Sequence, residues 1–197
     1  VHPAEPENLD VEGLLKGIYL YSPASKKRKK NAQILASGVG VNWALKAQQL
    51  LSDDWGVKAS VWSVTSWNEL RRDGLEADRH NLLNPKDKRT AYVTKKLKGA
   101  RGPVIAVSDY MRAVQDQIAP WVSQDFTSLG TDGFGLSDTR GALRRHFKVD
   151  AESIVIATLA ALAKSGDVKA GVVQDAINKY QINDINAADP GNTEGSG

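Results

Sequence analysis

Apolar residues fall along this chain in two rhythms: short dense runs of β-type residues, and longer stretches with apolar positions three or four apart. Residues 17–21, Gly-Ile-Tyr-Leu-Tyr, are aromatic and β-branched and predict a first strand. Residues 32–38 predict a second, running into a glycine turn. Val41, Leu45, Leu50 and Leu51 follow at near-helical spacing and predict a helix ending near Asp54. A third strand is expected over 57–64. Ser66 stands where a helix N-cap belongs, with Glu69 three residues on as its capping-box partner, and that helix continues through Leu70 toward Leu82. A further helix is expected over 91–97. Val104-Ile105-Ala106-Val107, behind Gly102-Pro103, is a continuous apolar run of the kind buried on both faces of a parallel sheet. Ser108 or Asp109 can cap the next helix, 110–121, with Pro120 favouring its termination. Residues 126–130 predict the last strand, and helices over 138–147, 151–164 and 169–180 close the pattern.

From residue 32 onward, strands and helices alternate with connections too long for hairpins. That order predicts an α/β domain: a mixed, mostly parallel five-stranded sheet with helices on both faces and an antiparallel edge strand. The first strand joins the second through a short turn, which predicts that these two form the antiparallel pair. The polar, proline-punctuated residues 1–12 read as an interdomain linker, 13–185 as the domain, and 186–197 as a disordered tail.

Composition removes several chemistries without changing this picture. A chain of 197 residues, 41% hydrophobic and 25% charged, has the make-up of an ordinary globular protein. At this size about 70% of the unfolded surface can be buried without staples. The absence of cysteine excludes disulfides, thiolate metal sites and cysteine nucleophiles, and suits a reducing cytoplasm. No apolar run reaches the ~20 residues of a membrane helix, so no membrane is expected as a partner. The net charge of +3 is local. Lys26-Lys27-Arg28-Lys29-Lys30 supplies five positive charges, and without them 21 basic residues face 23 acidic ones. A run set between two β-type segments reads as a solvated turn, since a nucleic-acid face spreads its cations over a surface. No nucleic-acid partner is expected, with a polyanion-binding module as the alternative.

Candidate chemistry centres on residues 130–138, Gly-Thr-Asp-Gly-Phe-Gly-Leu-Ser-Asp, after a strand and before a helix, where α/β folds can bind phosphate. A G-x-G-x-x-G pattern would need glycine where Asp138 stands, and Asp132 and Asp138 would repel an anion. The segment reads as a tight turn with an Asp/Ser helix cap; a stand-alone nucleotide-binding module is the alternative. His2, His80 and His146 fall in no recognisable metal-ligand pattern, and Ser37 and Ser66 lack a G-x-S-x-G setting. Trp43 and Trp62 read as core. Trp67 and Trp121 lie at element ends, where sheets meet ligands or other domains, and leave core packing and interface both open.

Three segments in order carry a family resemblance: residues 61–70 (Val-Trp-Ser-Val-Thr-Ser-Trp-Asn-Glu-Leu), 108–111 (Ser-Asp-Tyr-Met), and 129–135 (Leu-Gly-Thr-Asp-Gly-Phe-Gly), the last followed by Ser137-Asp138 and Leu143-Arg144. Together they resemble the C-terminal domain of the homodimeric pyruvate dehydrogenases, within the transketolase-like superfamily, over residues 13–182. The resemblance implies a three-domain, homodimeric parent that decarboxylates pyruvate on Mg²⁺ and thiamin diphosphate. It also implies reductive acetylation of the lipoyl group of an acyltransferase partner. The family's Gly-Asp-Gly cofactor signature is not matched, because Thr131 precedes Asp132-Gly133. No catalytic, cofactor or metal residue is carried over, and this chain alone is expected to bind no cofactor and to be inactive. The expected role is packing against the other domains of the same chain and the dimer partner. Thr65-Ser66-Trp67, Ser108-Asp109-Tyr110 and Asp132-Gly133-Phe134, at the carboxyl ends of strands, are the candidate contacts.

Overall fold

The structure, a computed structural model, describes residues 8–24 and 30–188. In chain order they form α1 (Val11–Lys16), β1 (Ile18–Ser22), β2 (Lys30–Ala36), α2 (Gly40–Trp55), β3 (Val57–Val64), α3 (Trp67–Leu83), α4 (Tyr92–Lys96) and β4 (Val104–Val107). There follow α5 (Arg112–Asp116), a single 3-10 turn Ala119–Trp121, β5 (Phe126–Leu129), α6 (Arg140–His146), α7 (Ala151–Lys164), α8 (Ala170–Lys179) and a last 3-10 turn, Ile185–Ala187. Most of the Lys26–Lys30 run lies outside the described residues, Lys30 opening β2. Residues 1–7 of the expected linker and 189–197 of the expected tail also lie outside them.

The five strands form one mixed sheet in the order β1-β3-β2-β4-β5. The last four are mutually parallel and β1 is the antiparallel edge strand, as the alternation predicts. Its neighbour is a correction: β1 pairs with β3, Ile18 opposite Val64 and Leu20 opposite Trp62, and not with β2. The reason is β2 itself, whose residues 32–36 are buried on both faces. A doubly buried strand takes the centre, so β3 and β4 occupy both of its edges in parallel. β1 and β2 therefore lie on either side of β3, about 10 Å apart at ordinary strand spacing.

Alternate side chains of the sheet feed two cores. Ala32, Ile34, Val61, Ile105 and Val107 pack under α2 and α7 on one face, with Leu51, Ile154, Leu159 and Leu162. Leu35, Trp62, Val64, Val104 and Ala106 point to the other, against Trp67 and Leu70 of α3, Val93 of α4 and Ile118 after α5. Each fully buried aliphatic side chain contributes about 1.5–3 kcal/mol of transfer free energy, so these two layers dominate stability.

Several local expectations change. Residues 11 and 12, expected as linker, open α1, whose N-terminus is capped by Asp10 accepting from Gly13 N at 2.8 Å. Ser66 caps α3 through Glu69 N at 3.1 Å. The return half of the capping box does not form: Ser66 N donates to Gly17 O, and Glu69 pairs with Arg72 at 2.8 Å. The helix expected over 110–121 shrinks to α5 plus a 3-10 turn, and neither Ser108 nor Asp109 caps it. Thr139, not Asp138, caps α6. Residues 186 and 187 of the expected tail finish the last 3-10 turn, with Ala188 as its C-cap.

Candidate functional site

Chain direction alone brings the candidate loops together. The carboxyl ends of β2, β3 and β4 lie side by side, and the chain leaves β2 toward one face of the sheet and β4 toward the other. That divergence opens a crevice at the carboxyl edge, the place where such sheets meet ligands or other domains. Here it is a cleft of 1030 Å³ whose lining includes Tyr19, Ser37, Gly38, Trp67, Asp109 and Tyr110.

A chain of buried hydroxyls forms its floor. Trp67 Nε1 donates to Ser37 Oγ at 3.1 Å, Ser37 Oγ donates to Ser108 Oγ at 2.9 Å, and Tyr110 N donates to Ser108 Oγ at 3.2 Å. Trp67 is only 4% exposed and Ser108 is fully buried, so these two build the edge from beneath. Thr65 is on the surface and ties α1 down, its hydroxyl donating to Leu14 O at 2.6 Å. Ser37 and Ser108 bond, among the described residues, to each other, to Trp67 Nε1 and to Tyr110 N, while His80 contacts Asp87 and His146 meets Phe147 edge-on. Among the described residues no three His, Asp or Glu side chains gather to hold a metal ion.

The third candidate segment is knitted to the second. Thr131 N donates to Tyr110 O at 2.9 Å, and the Thr131 hydroxyl donates to Asp109 O. Asp132 accepts twice from Arg112, from its backbone N–H at 2.9 Å and from Nε at 2.8 Å. Those two bonds, the backbone one foremost, hold the Asp132 carboxyl below the usual carboxylate range. Gly130 permits the approach, since a Cβ there would sit 2.4 Å from Tyr110 O.

Beyond this clasp the loop leaves the domain. Every residue from 132 to 140 is exposed, Phe134 by 95%, and Leu136 stands out with it. Tyr110 and Met111 are more than half exposed at the base. The edge therefore offers an apolar finger on a hydrogen-bonded root, an arrangement that suits protein contact. Of the candidates, Asp109, Tyr110, Asp132, Gly133 and Phe134 reach the surface together, whereas Ser66, Trp67 and Ser108 support them. Arg112 and Leu136 are the residues sequence reasoning missed; a lone arginine twenty residues from its aspartate leaves no local signal.

Comparison with known proteins identifies the fold and the family. Residues 17–150 match the family described as the transketolase-like TK C-terminal domain. The chain is 58% identical over 187 residues to a pyruvate dehydrogenase E1 component of Mycolicibacterium smegmatis, covering 94% of this chain and 20% of that one. It is 53% identical over 197 residues to that of Mycobacterium tuberculosis, covering 97% and 21%, and 42% identical over 182 residues to that of Escherichia coli K12, covering 91% and 20%. It thus spans about a fifth of the length of the curated relatives it matches. Among solved structures, a Pichia stipitis transketolase complex with sedoheptulose 7-phosphate aligns at a TM-score of 0.54 and 20% identity, covering 83% of this chain and 20% of that one. Transketolase from Leishmania mexicana aligns at 0.51 and 20%, covering 80% and 20%. The chain belongs to the transketolase-like C-terminal domain family.

Proposed function

We propose that this chain is the C-terminal, non-catalytic domain of a homodimeric pyruvate dehydrogenase, and that its carboxyl-edge loops dock it onto the other domains. The parent decarboxylates pyruvate with thiamin diphosphate and Mg²⁺ and reductively acetylates a lipoyl group on an acyltransferase partner, in the cytoplasm. The single observation that carries the docking role is the exposed Phe134–Leu136 finger rooted by the Arg112–Asp132 clasp. The residues present do not fit the cofactor. Asp132, the one acid of the Asp-Gly pair, is already engaged by Arg112, and no cluster of metal ligands accompanies it among the described residues. Cofactor chemistry in this reading belongs to the remaining four fifths of the parent, and this domain alone turns over no pyruvate. No helix among the described residues is long and apolar enough to cross a membrane, which suits a soluble enzyme.

The test is to replace Phe134 and Leu136 by alanine in the full-length protein. Both side chains are exposed, so the isolated domain keeps its melting temperature, while dimer assembly weakens and pyruvate turnover falls. Unchanged assembly and turnover would remove the docking role. An in-frame Gly-Asp-Gly segment with its downstream asparagine, encoded upstream of Val1, tests the parent enzyme separately.

A further inference from the structure

Two Asp-Gly pairs occur in the chain, Asp73-Gly74 and Asp132-Gly133, and they stand in opposite surroundings. An aspartate before glycine is open to reaction with its own backbone, because no side chain hinders the amide nitrogen that follows. The glycine nitrogen attacks the aspartate Cγ, a C–N bond forms, the carboxyl C–O bond breaks, and one water leaves with the amide proton. Water then opens the five-membered imide. Addition at Cγ restores aspartate; addition at the α-carbonyl leaves isoaspartate, with one extra carbon in the main chain. Nothing but water is required. The step does need a protonated carboxyl, whose hydroxyl can leave, and a side chain free to swing onto the amide.

The fold closes this route at Asp73. Gly74 lies inside α3, where the helix ladder occupies its N–H, and the Asp73 carboxylate accepts from Tyr92 N. At Asp132 the backbone gives no such protection. Gly133 is exposed, outside any helix or strand, at φ 90°. Its N–H has no hydrogen-bond partner among the described residues, and a Cβ built on it would meet nothing within 4 Å. What restrains this pair is Arg112, whose backbone N–H donates to Asp132 Oδ1 at 2.9 Å and whose Nε donates to Oδ2 at 2.8 Å. Both carboxylate oxygens are engaged, so the side chain is held. The same two bonds keep the carboxyl below its ordinary range, in the ionised form that has no hydroxyl to lose.

We propose that Asp132-Gly133 is a latent site of backbone rearrangement to isoaspartate, and that Arg112 guards it. The rearranged bond lies at the root of the Phe134 finger, so a chain that lost the guard would age at its docking loop. The inference rests on the docking reading only for that consequence. The rearrangement itself is a property of the loop and its clasp.

The test separates the two bonds. Arg112 is the first residue of α5, and ψ is 146° at Met111 before it. Both features suit proline at position 112, so Arg112→Pro removes the backbone donor and the guanidinium together while leaving the helix start in place. Arg112→Gln removes the guanidinium alone. The full-length protein and both variants are aged at neutral pH, well below melting, and isoaspartate is counted at each Asp-Gly pair by fragmentation mass spectrometry of the digested chain. A peptide of residues 128–138 gives the unguarded rate. Asp132 is expected to rearrange several-fold more slowly in the wild-type protein than in the peptide, faster in Arg112→Gln and fastest in Arg112→Pro, with Asp73 unchanged throughout. A rise with proline alone also supports the proposal and assigns the guard to the backbone bond. A wild-type rate equal to that of the peptide, or no rise at Asp132 in either variant, would overturn it. So would an equal rise at Asp73, which would assign the change to unfolding. Failure here leaves the Phe134 and Leu136 experiment standing, because that one reads assembly and turnover.

Discussion

The Ser37 hydroxyl donates to the Ser108 hydroxyl at 2.9 Å, and this one buried bond joins the loop after β2 to the loop after β4. The two loops depart to opposite faces of the sheet, and past the bond from Ser37 N to Val107 O at 3.3 Å no backbone hydrogen bond among the described residues joins them. Trp67, donating to the same Ser37 oxygen from the start of α3, brings the loop after β3 into register with both. A three-loop surface is thus assembled from a serine pair and an indole.

Replacing Ser37 by alanine strands the Trp67 N–H in a buried site. A buried donor left unsatisfied costs about 1–3 kcal/mol. At this domain size each kcal/mol lowers the melting temperature by roughly 2–4 °C. Trp67→Phe in the same background removes the stranded donor, so the double variant should be milder than the sum of the singles. Thermal melts of the four proteins decide it: strict additivity would show that the bond does not couple these residues.

Gly74 sits inside α3, where alanine would raise helix propensity by about 1 kcal/mol. Packing opposes that gain. A Cβ at Gly74 would lie 2.4 Å from Cδ2 of the Trp121 indole, with two more ring carbons within 2.6 Å. Overpacking of this kind costs about 1–3 kcal/mol, and displacing the ring also endangers its 3.0 Å bond to Asp78. Gly74→Ala is therefore expected to destabilise, and in a Trp121→Ala background to change sign and stabilise. Urea unfolding of both pairs tests the reversal.

How much of this was legible follows the same division. Strands over 57–64 and 104–107 show in sequence because burial imposes β-type runs, and Ser66 shows as a cap because its partner is three residues away. What did not show depends on distance. The β1–β3 pairing spans some forty residues and is decided by competition for the edges of β2. The Arg112–Asp132 clasp and the Ser37–Ser108 bond likewise join residues whose local contexts announce nothing. Trp67 looked equally suited to core and interface because an aromatic at an element end serves either; the geometry puts it inside, with Phe134 as the aromatic left outside.

The attachment of α1 should depend on pH at both extremes. Asp10 bonds to Lys96 and caps α1 through Gly13 N, and those contacts, the Lys96 bond first, hold its carboxyl below the ordinary 3.8. A depressed carboxylate contributes stability that is present above 3.8 and lost as pH falls through the lower folded value. Lys96 has the opposite sign. Burial alone would lower it, but the bond to Asp10 and the neighbouring Tyr92 win and raise it above 10.5. Its contribution is present below 10.5 and lost as pH rises through the folded value. The Gly13 amide resonance reports both limits: it should stay constant between them and move at each end, and Asp10→Asn should abolish the acid transition. An acid transition that survives in that variant would assign it to another group.

Arg145 gives the largest expected loss, because it is a buried cation that several groups share. Its side chain is 1% exposed; Nε donates to Asp150, Nη2 lies 3.5 Å from Glu152, and Nη1 donates to Tyr180 O at 3.1 Å. Asp150 also caps α7 through Ser153 N at 3.0 Å, so the arginine joins α6, α7 and the end of α8 at one point. Methionine would fill much of the volume but leave Asp150 without its cation, Glu152 with Lys46 alone, and the Tyr180 and Gln181 carbonyls without their donor. Breaking a buried pair this way costs about 3–5 kcal/mol. Lysine is not a substitute, since a single ammonium cannot reach three partners set around a planar fork. Adding Asp150→Asn to Arg145→Met removes one stranded charge while keeping a good N-cap, so the double variant should recover part of the loss. Hydrogen exchange should find the first opening at residues 180–182, where the arginine and Lys148 hold the backbone carbonyls. Were Arg145→Met to unfold no earlier than the parent protein, the three-helix junction would rest on its apolar contacts alone.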